Sequence, residues 1–350
     1  MEQKIKDFFL KEWLFWFSLV TFFILFALTR RIPVITPDEW QILFLLYMFF
    51  IAIKAIEKSG FLRFVAWKIE QGEKIGIKLL LATYLLSTFF TNDVALLAIV
   101  PLTLSLDIKN KSSIIALEAI ASNAASLLPY STPQNLYIYW HYQVLLLEFT
   151  EVIAPFSLFF LFAIFFLPVS LNVVPRKERI DYVKREAYPG LFLFLLVVLV
   201  ILKILPLFSA FVVFFYYLFM DKDALKIDYY LLATFLLFFA ISDELAFLLH
   251  DFFIHSHHLF FSSLILSQLI SNVPATLVMA NFTDDWKSLL WGVDVGGFGL
   301  LWGSLANLIA YKLYQRSERK PFLLKFLAYN FAALAVGILL FEVSQWIGLL

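Results

Sequence analysis

The chain has no cysteine among its 350 residues. That excludes disulfides, thiolate metal sites and thiol catalysis together. Charge is also scarce, at 15% of residues against about 25% in soluble domains. Lys plus Arg (27) balance Asp plus Glu (27) to a formal net charge of zero, which gives no electrostatic basis for nucleic-acid binding. The few charges cluster in short segments between apolar blocks and leave no room for a sizeable soluble domain. No Ser/His/Asp order, zincin motif or phosphate loop argues for an enzyme. The start, Met1-Glu-Gln-Lys-Ile-Lys, leads into an apolar helix without an Ala-x-Ala-like site. It reads as a first membrane helix rather than a cleaved signal peptide.

What is abundant is apolar surface. Hydrophobic residues make up 62% of the chain, with 42 Phe, and the mean hydropathy is +0.86. The apolar blocks are longer than the alternating segments of about ten residues that build a transmembrane barrel, and they are apolar on all faces. The expected fold is an all-α polytopic membrane protein. A spanning helix needs about 20 apolar residues. The candidates are 12–29, 38–56, 113–139, 144–168, 188–205, 207–220, 229–250, 288–313 and 325–348, about nine full spans, with 113–139 and 288–313 interrupted. Residues 57–74 mix apolar and basic positions at helical spacing and read as an interfacial helix, a part that 251–258 could play in the second half.

Two further stretches carry a polar break inside an apolar run. Residues 75–106 would measure about 48 Å as one helix, against a hydrocarbon core about 30 Å thick, and Thr91-Asn92-Asp93 interrupts them midway. A re-entrant hairpin fits better. The same pattern returns within 259–283, where Ser87, Thr91, Asn92 and Ala95 match Ser267, Ser271, Asn272 and Ala275, each pair 180 positions apart. The chain therefore reads as an N-terminal helix (1–37), a first repeat (38–169), a basic linker (170–187), connecting transmembrane helices (188–228) and a second repeat (229–350). Lys and Arg concentrate on the cytoplasmic side. Counting them places the N-terminus (Lys4, Lys6, Lys11), Lys109 and the Arg176–Arg185 loop inside, so the hairpins enter from opposite faces and the repeats are inverted. Arg30 and Arg31 dissent from this layout.

Each hairpin is followed by a helix with a helix-breaking centre. Pro129 and Pro133 interrupt 113–139, and Gly296, Gly297, Gly299 and Gly303 interrupt 288–313. Proline removes backbone bonds, and irregular backbone at membrane depth is tolerated only where protein or water covers it. Thr132-Pro133 reads as an N-cap followed by proline at the first helical position. Thr91 or Asn92, Ser271 or Asn272, and Ser304 are the corresponding caps. Four helix N-termini would meet, each with free N–H groups and about half a positive charge, a ready anion site. The carbonyls before each break, with Asn and Ser oxygens, suit a small hard cation such as Na⁺.

In Thr91–Leu97, Pro133-Gln-Asn135, Ser271–Ala275 and Gly303–Asn307 the chain resembles the ion transporter superfamily of citrate and dicarboxylate transporters, arsenite permeases and NhaD-type sodium/proton antiporters. The likeness runs from about residue 38 onward. It implies paired hairpins, two interrupted helices and an elevator-like movement of that unit against a scaffold, with homodimers common. Its implied sodium and substrate sites fall on Thr91, Asn92 and Asp93; on Ser126, Ser131, Thr132 and Asn135; on Ser271, Asn272 and Thr276; and on Asp294, Gly297, Ser304 and Asn307. The dicarboxylate members carry Ser-Asn-Thr at both tips, where this chain has Thr-Asn-Asp and Ser-Asn-Val. Asp93 and Asp294 favour a bound cation or proton and oppose a dianion.

Outside these motifs, Asp243 and Glu244 sit midway along 229–250 and are candidate proton carriers. His250, His255, His257 and His258 form the one cluster of metal-ligand composition, more simply an interfacial loop rich in His. The expectation is a multi-pass plasma (inner) membrane transporter with a cytoplasmic N-terminus. It would move a small carboxylate or inorganic oxyanion with Na⁺ or H⁺ as coupling ion and no cofactor. The alternatives are a Na⁺/H⁺ antiporter or arsenite efflux permease of the same fold and, more remotely, a polytopic membrane enzyme or metal-binding protein.

Overall fold

The computed structural model describes residues 13–69, 74–106, 110–166, 184–253, 258–318 and 321–350. These residues are helical, with no strand among them. Helix α1 (Trp13–Thr29) leads to α2 (Pro37–Lys58). The start of α2 is fixed by a capping box in which the Thr36 hydroxyl accepts from the Glu39 N–H at 3.3 Å and the Glu39 carboxylate accepts from the Thr36 N–H at 2.7 Å, satisfying two orphan donors. The short helix α3 (Phe61–Ile69) occupies the stretch read as interfacial.

The sequence then breaks its helices where polar and helix-breaking residues fall. Helices α4 (Ile75–Phe89) and α5 (Asn92–Ser105) are separated only by Phe90 and Thr91 and pack side by side. Helices α6 (Lys111–Ala124) and α7 (Pro133–His141) flank the first proline-containing break. The pattern returns with α12 (Leu259–Ile270) and α13 (Asn272–Ala280), separated by Ser271 alone and packed on each other. Helices α14 (Trp286–Val295) and α15 (Leu305–Glu318) flank the glycine-rich break.

The remaining elements are α8 (Leu146–Phe166), α9 (Lys184–Ile201), α10 (Phe211–Met220), α11 (Tyr229–Phe253) and α16 (Leu323–Trp346). By length and composition α2, α8, α16 and the stretch Lys222–Leu245 can each cross a bilayer, and shorter apolar helices occupy 15–29 and 207–220. The chain is thus a polytopic, all-helical membrane protein. Large apolar side chains such as Phe162, Phe166, Phe192, Phe219, Leu324 and Leu339 point outward, an exposure that lipid would cover.

Packing sorts the helices. Helix α1 lies on α11, and α2 on α9. The broken helices pack on one another, with α5 and α6 against α15, and α13 against α7, α11 and α14. Where α5, α6 and α15 meet, Ala116, Ala119, Ala306 and Ala310 are fully buried beside Leu96 and Val100. Small residues let backbones approach closely, which is how helices associate without a hydrophobic driving force between them.

Arg31 is tied to α11. Its guanidinium donates to both Asp243 oxygens at 3.1 and 2.9 Å, and the Val34 N–H adds a 2.9 Å bond to the same carboxylate. The positive-inside rule counts Lys and Arg rather than net charge, so Arg30 and Arg31 still dissent from the layout. Lys4, Lys6, Lys11, Lys109, residues 170–183 of the linker, His255 and His257 lie outside the described residues, as do the side chains of His250 and Asp251.

Candidate functional site

Four helix N-termini line one cavity of about 60 Å³. Thr91, Asn92 and Asp93 come from α5, Pro133 and Gln134 from α7, Ser271 to Pro274 from α13, and Ser304 and Leu305 from α15. Each start has its own local cause. The Thr91 hydroxyl accepts from the Val94 N–H at 3.4 Å, and the Thr132 hydroxyl accepts from the Asn135 N–H at 3.3 Å ahead of Pro133. The Ser304 hydroxyl accepts from the Ala306 N–H at 3.2 Å. At α13 the Asn272 carboxamide oxygen accepts from the Val273 N–H at 2.9 Å. Ser271 sits at φ +81°, ψ 154°, a sparsely populated region for a residue with a Cβ.

The breaks are tied together by buried amides centred on Asn123, at the C-terminal end of α6. Its Nδ2 donates to the Gly297 carbonyl at 3.1 Å and to Asn307 Oδ1 at 2.9 Å. Its Oδ1 accepts from the Ser304 hydroxyl at 2.8 Å and from Asn92 Nδ2 at 3.4 Å. Asn307 Nδ2 also donates to the Gly297 carbonyl at 2.9 Å, and the Ser122 hydroxyl reaches the Asn92 carbonyl at 3.2 Å. A Cβ at Gly297 would stand 3.1 Å from the Asp294 carbonyl and 3.4 Å from Asn272 Nδ2, so a side chain there would press on both.

The two acids of the motifs sit differently. The Asp294 carboxylate accepts from Asn135 Nδ2 at 3.2 Å and Gln134 Nε2 at 3.4 Å, with the Ser126 hydroxyl on the same group. It joins the end of α14 to the start of α7 and does not line the cavity. Asp93 does line it, and no other residue of the lining carries a formal charge. Beside it, Asn92 is only 7% exposed and its Oδ1 has no hydrogen-bond partner. Asn135 Oδ1, fully buried, is likewise unpartnered. A buried carboxamide oxygen without a donor is costly unless a cation, water or hydroxyl meets it.

The remaining motif residues serve the breaks. The Ser126 and Ser131 hydroxyls donate to the Asn123 and Leu128 carbonyls at 3.1 and 2.7 Å, and Thr276 donates to the Asn272 carbonyl at 2.7 Å. Away from the cavity, Asp243 is paired with Arg31. Glu244 is fully buried with neither carboxylate oxygen partnered. Among the described residues no group of His, Cys, Asp and Glu could hold a metal ion; His258 precedes the start of α12.

Sequence reasoning placed none of Asn123, Gln134 and Gln268 on the site, although Gln134 lies within the Pro133–Asn135 motif. The Gln268 amide donates to the Gly296 and Phe298 carbonyls at 2.6 and 2.8 Å, and its oxygen accepts from the Leu300 N–H at 2.8 Å. One side chain on α12 thereby satisfies three backbone groups of the glycine-rich break. The available signal was a lone amide inside an apolar helix, expensive there and functional by default. Phe50 on α2 and Leu231, Phe235 and Phe238 on α11 complete the cavity wall, and nothing in an apolar run marks them.

A polytopic helical bundle whose broken helices converge on one cavity has the architecture of a membrane transporter. More narrowly, the chain belongs to the citrate transporter family CitMHS, whose model matches residues 9–285. It is 30% identical over 301 residues to an uncharacterized transporter of Methanocaldococcus jannaschii, covering 80% of this chain and 83% of that protein. It is also 30% identical over 300 residues to the inner membrane protein YbiR of Escherichia coli, covering 79% and 80% respectively.

Proposed function

We propose that the protein is a secondary active transporter that moves a small anion across the membrane coupled to Na⁺ or H⁺. The observation that carries this reading is the convergence of four helix N-termini on one cavity. Each terminus presents free N–H groups and about half a positive charge, and together they offset an anion without a basic side chain. Asp93 and the unpartnered Asn92 Oδ1 supply oxygens for the coupling cation in the same cavity. Glu244, buried without a partner, is a second place where a coupled proton could ride.

The pairs α4–α5 and α12–α13 act as re-entrant hairpins of two inverted repeats, a reading supported by their side-by-side packing and the 180-residue offset of their polar tips. Alternating access is elevator-like: the interlocked broken helices move as a unit against α1, α2, α9, α10 and α11. The inner-membrane description of the Escherichia coli relative supports a plasma-membrane location. Lipid, the anion and the coupling ion are the partners, with a homodimer expected from the family likeness.

A second reading, Na⁺/H⁺ antiport, is favoured by one observation: the only formal charge lining the cavity is negative. Purified protein in proteoliposomes separates the two. Uptake of a labelled carboxylate or sulfate stimulated by a sodium or proton gradient, and abolished by Asn92→Ala and by Asn272→Ala, supports the first. Sodium-driven proton movement with no anion requirement supports the second. Wild-type rates in both variants overturn the proposed site.

A further inference from the structure

We propose that α9 and α10 hold one phospholipid with a primary-amine headgroup, its phosphate and ammonium in a polar pocket and an acyl chain along α10. The site shares no residue with the cavity of the helix N-termini and stands independently of the cargo. The pocket, of about 390 Å³, forms where α2 and α10 finish and α9 begins. Lys58, Arg185, Glu186, Tyr217 and Asp221 line it. The layout read from Lys and Arg assigns this end to the cytoplasmic leaflet.

The observation that asks for a ligand is Tyr217. It is only 4% exposed and lines the pocket, yet its hydroxyl has no hydrogen-bond partner. A buried hydroxyl left unpaired is costly, and a phosphate oxygen would accept from it. Arg185 and Glu186 are exposed on the first turn of α9, and among the described residues neither has an ion-pair partner. A guanidinium matches the geometry of phosphate oxygens. Lys58 is already committed, its Nζ 2.7 Å from Asp221 and 3.5 Å from Asp223.

Charge selects the headgroup. Lys58 and Arg185 balance Glu186 and Asp221 on the lining, and Asp223 adds a negative charge beside them. An anionic headgroup therefore meets no positive excess. A zwitterion is matched at both ends, with phosphate on Arg185 and Tyr217 and ammonium on Glu186 and Asp221. A primary ammonium brings three donors to those acids, whereas a quaternary one brings none.

The tail has a place as well. An apolar groove of about 420 Å³ runs over Phe211, Val212, Phe215 and Phe219, and Tyr216 and Met220 line both the groove and the pocket. Phe211, Val212, Phe215 and Phe219 are all exposed and recur at helical spacing, so they form one outward stripe. The ten residues of α10 measure about 15 Å, the depth of one leaflet of a hydrocarbon core about 30 Å thick.

The test uses the purified full chain stripped of lipid in detergent, with bound lipid counted by native mass spectrometry and the unfolding temperature as second readout. The probes are phosphatidylethanolamine, phosphatidylcholine, phosphatidylglycerol and diacylglycerol with identical oleoyl chains, and water-soluble phosphoethanolamine. One phosphatidylethanolamine per chain should bind at concentrations at least about tenfold lower than any other probe. Arg185→Ala should weaken that binding about tenfold, and Tyr217→Phe about fivefold. Tyr217→Phe should not lower the unfolding temperature of the lipid-free protein, because it removes a hydroxyl that nothing satisfies; a clear fall would overturn the proposal. Equal retention of the three phospholipids, or retention indifferent to Arg185→Ala, would reduce the site to ordinary lipid contact and overturn it too. A preference for phosphatidylglycerol would overturn the choice of headgroup, and phosphoethanolamine binding as tightly as the lipid would overturn the role of the groove.

Discussion

Asn123→Ala removes the amide that joins three breaks, and its effect can be worked out bond by bond. The substitution leaves Asn307 Oδ1, the Ser304 hydroxyl and Asn92 Nδ2 without the partners they have at 2.9, 2.8 and 3.4 Å. The Gly297 carbonyl keeps its bond from Asn307 Nδ2. A buried polar group stripped of its partner costs about 1–3 kcal/mol. Asn92 lines the cavity, where water can replace the lost bond, so the penalty falls mainly on the other two groups, about 2–6 kcal/mol in all. The readout is the apparent unfolding temperature followed by intrinsic fluorescence, since the chain carries nine Trp. A fall on the order of 4 °C or more is expected, together with loss of gradient-driven transport. Asn123→Asp should do no better: it keeps the volume and one acceptor but sets a second oxygen against the Gly297 carbonyl and Asn307 Oδ1. Ser105→Ala is the control, because that hydroxyl bonds only the carbonyl of Leu102 in its own helix. Wild-type stability and transport in Asn123→Ala would refute the claim that this amide holds the breaks together.

Gln268→Ala should leave the Gly296 and Phe298 carbonyls and the Leu300 N–H unmet by α12, so amide exchange across 296–303 should accelerate at least about tenfold while α4 and α5 stay protected; unchanged exchange there contradicts the pinning role. Ser271 holds φ +81°, so Ser271→Gly should match or exceed wild-type stability, whereas Ser271→Val should lower it by about 1–3 kcal/mol. Equal melting of the two variants would show that the backbone is not strained at this position. Because the native chain has no cysteine, Asn110→Cys and Asp284→Cys can be introduced singly into an otherwise unlabelled background. Membrane-impermeant maleimide should reach position 110 only from the cytoplasm and position 284 only from outside, and labelling of both from one face defeats the inverted arrangement.

The parts of this molecule that break local rules were readable, and the parts that obey them were not. Pro133 after Thr132, and Asn92 within an apolar run, announce helix starts because each residue type conflicts with an uninterrupted helix in lipid, and α7 and α5 begin there. The Val273-Pro274 pair marked α13 for the same reason, although the left-handed backbone of Ser271 had no signature in its residue type. Asn123 lies in the polar stretch that opens the first break, yet nothing in its residue type sets it apart from Ser126, Ser131 or Asn135, which were placed on the site. Its importance comes from partners 31 to 184 positions away. The Arg31–Asp243 pair spans 212 positions, and only tertiary packing of the segment after α1 against α11 brings this base to its acid. The aromatic wall was silent for a different reason: Phe235 and Phe238 resemble every other Phe in a chain with 42 of them, and only the fold aims them at the cavity.

The central claim, that the transported anion occupies the cavity where the four helix N-termini meet, is tested most directly by protection of a single introduced cysteine. Thr234→Cys places a thiol on the cavity wall from α11, and Leu147→Cys places one on the exposed surface of α8, 71% accessible. The rate of modification by a charged methanethiosulfonate is measured in proteoliposomes with and without a transported anion and its coupling ion. Slowing at position 234 by at least about tenfold, with no change at position 147, is expected when both are present. An anion that is transported but leaves the rate at position 234 unchanged would place the pathway elsewhere in the molecule.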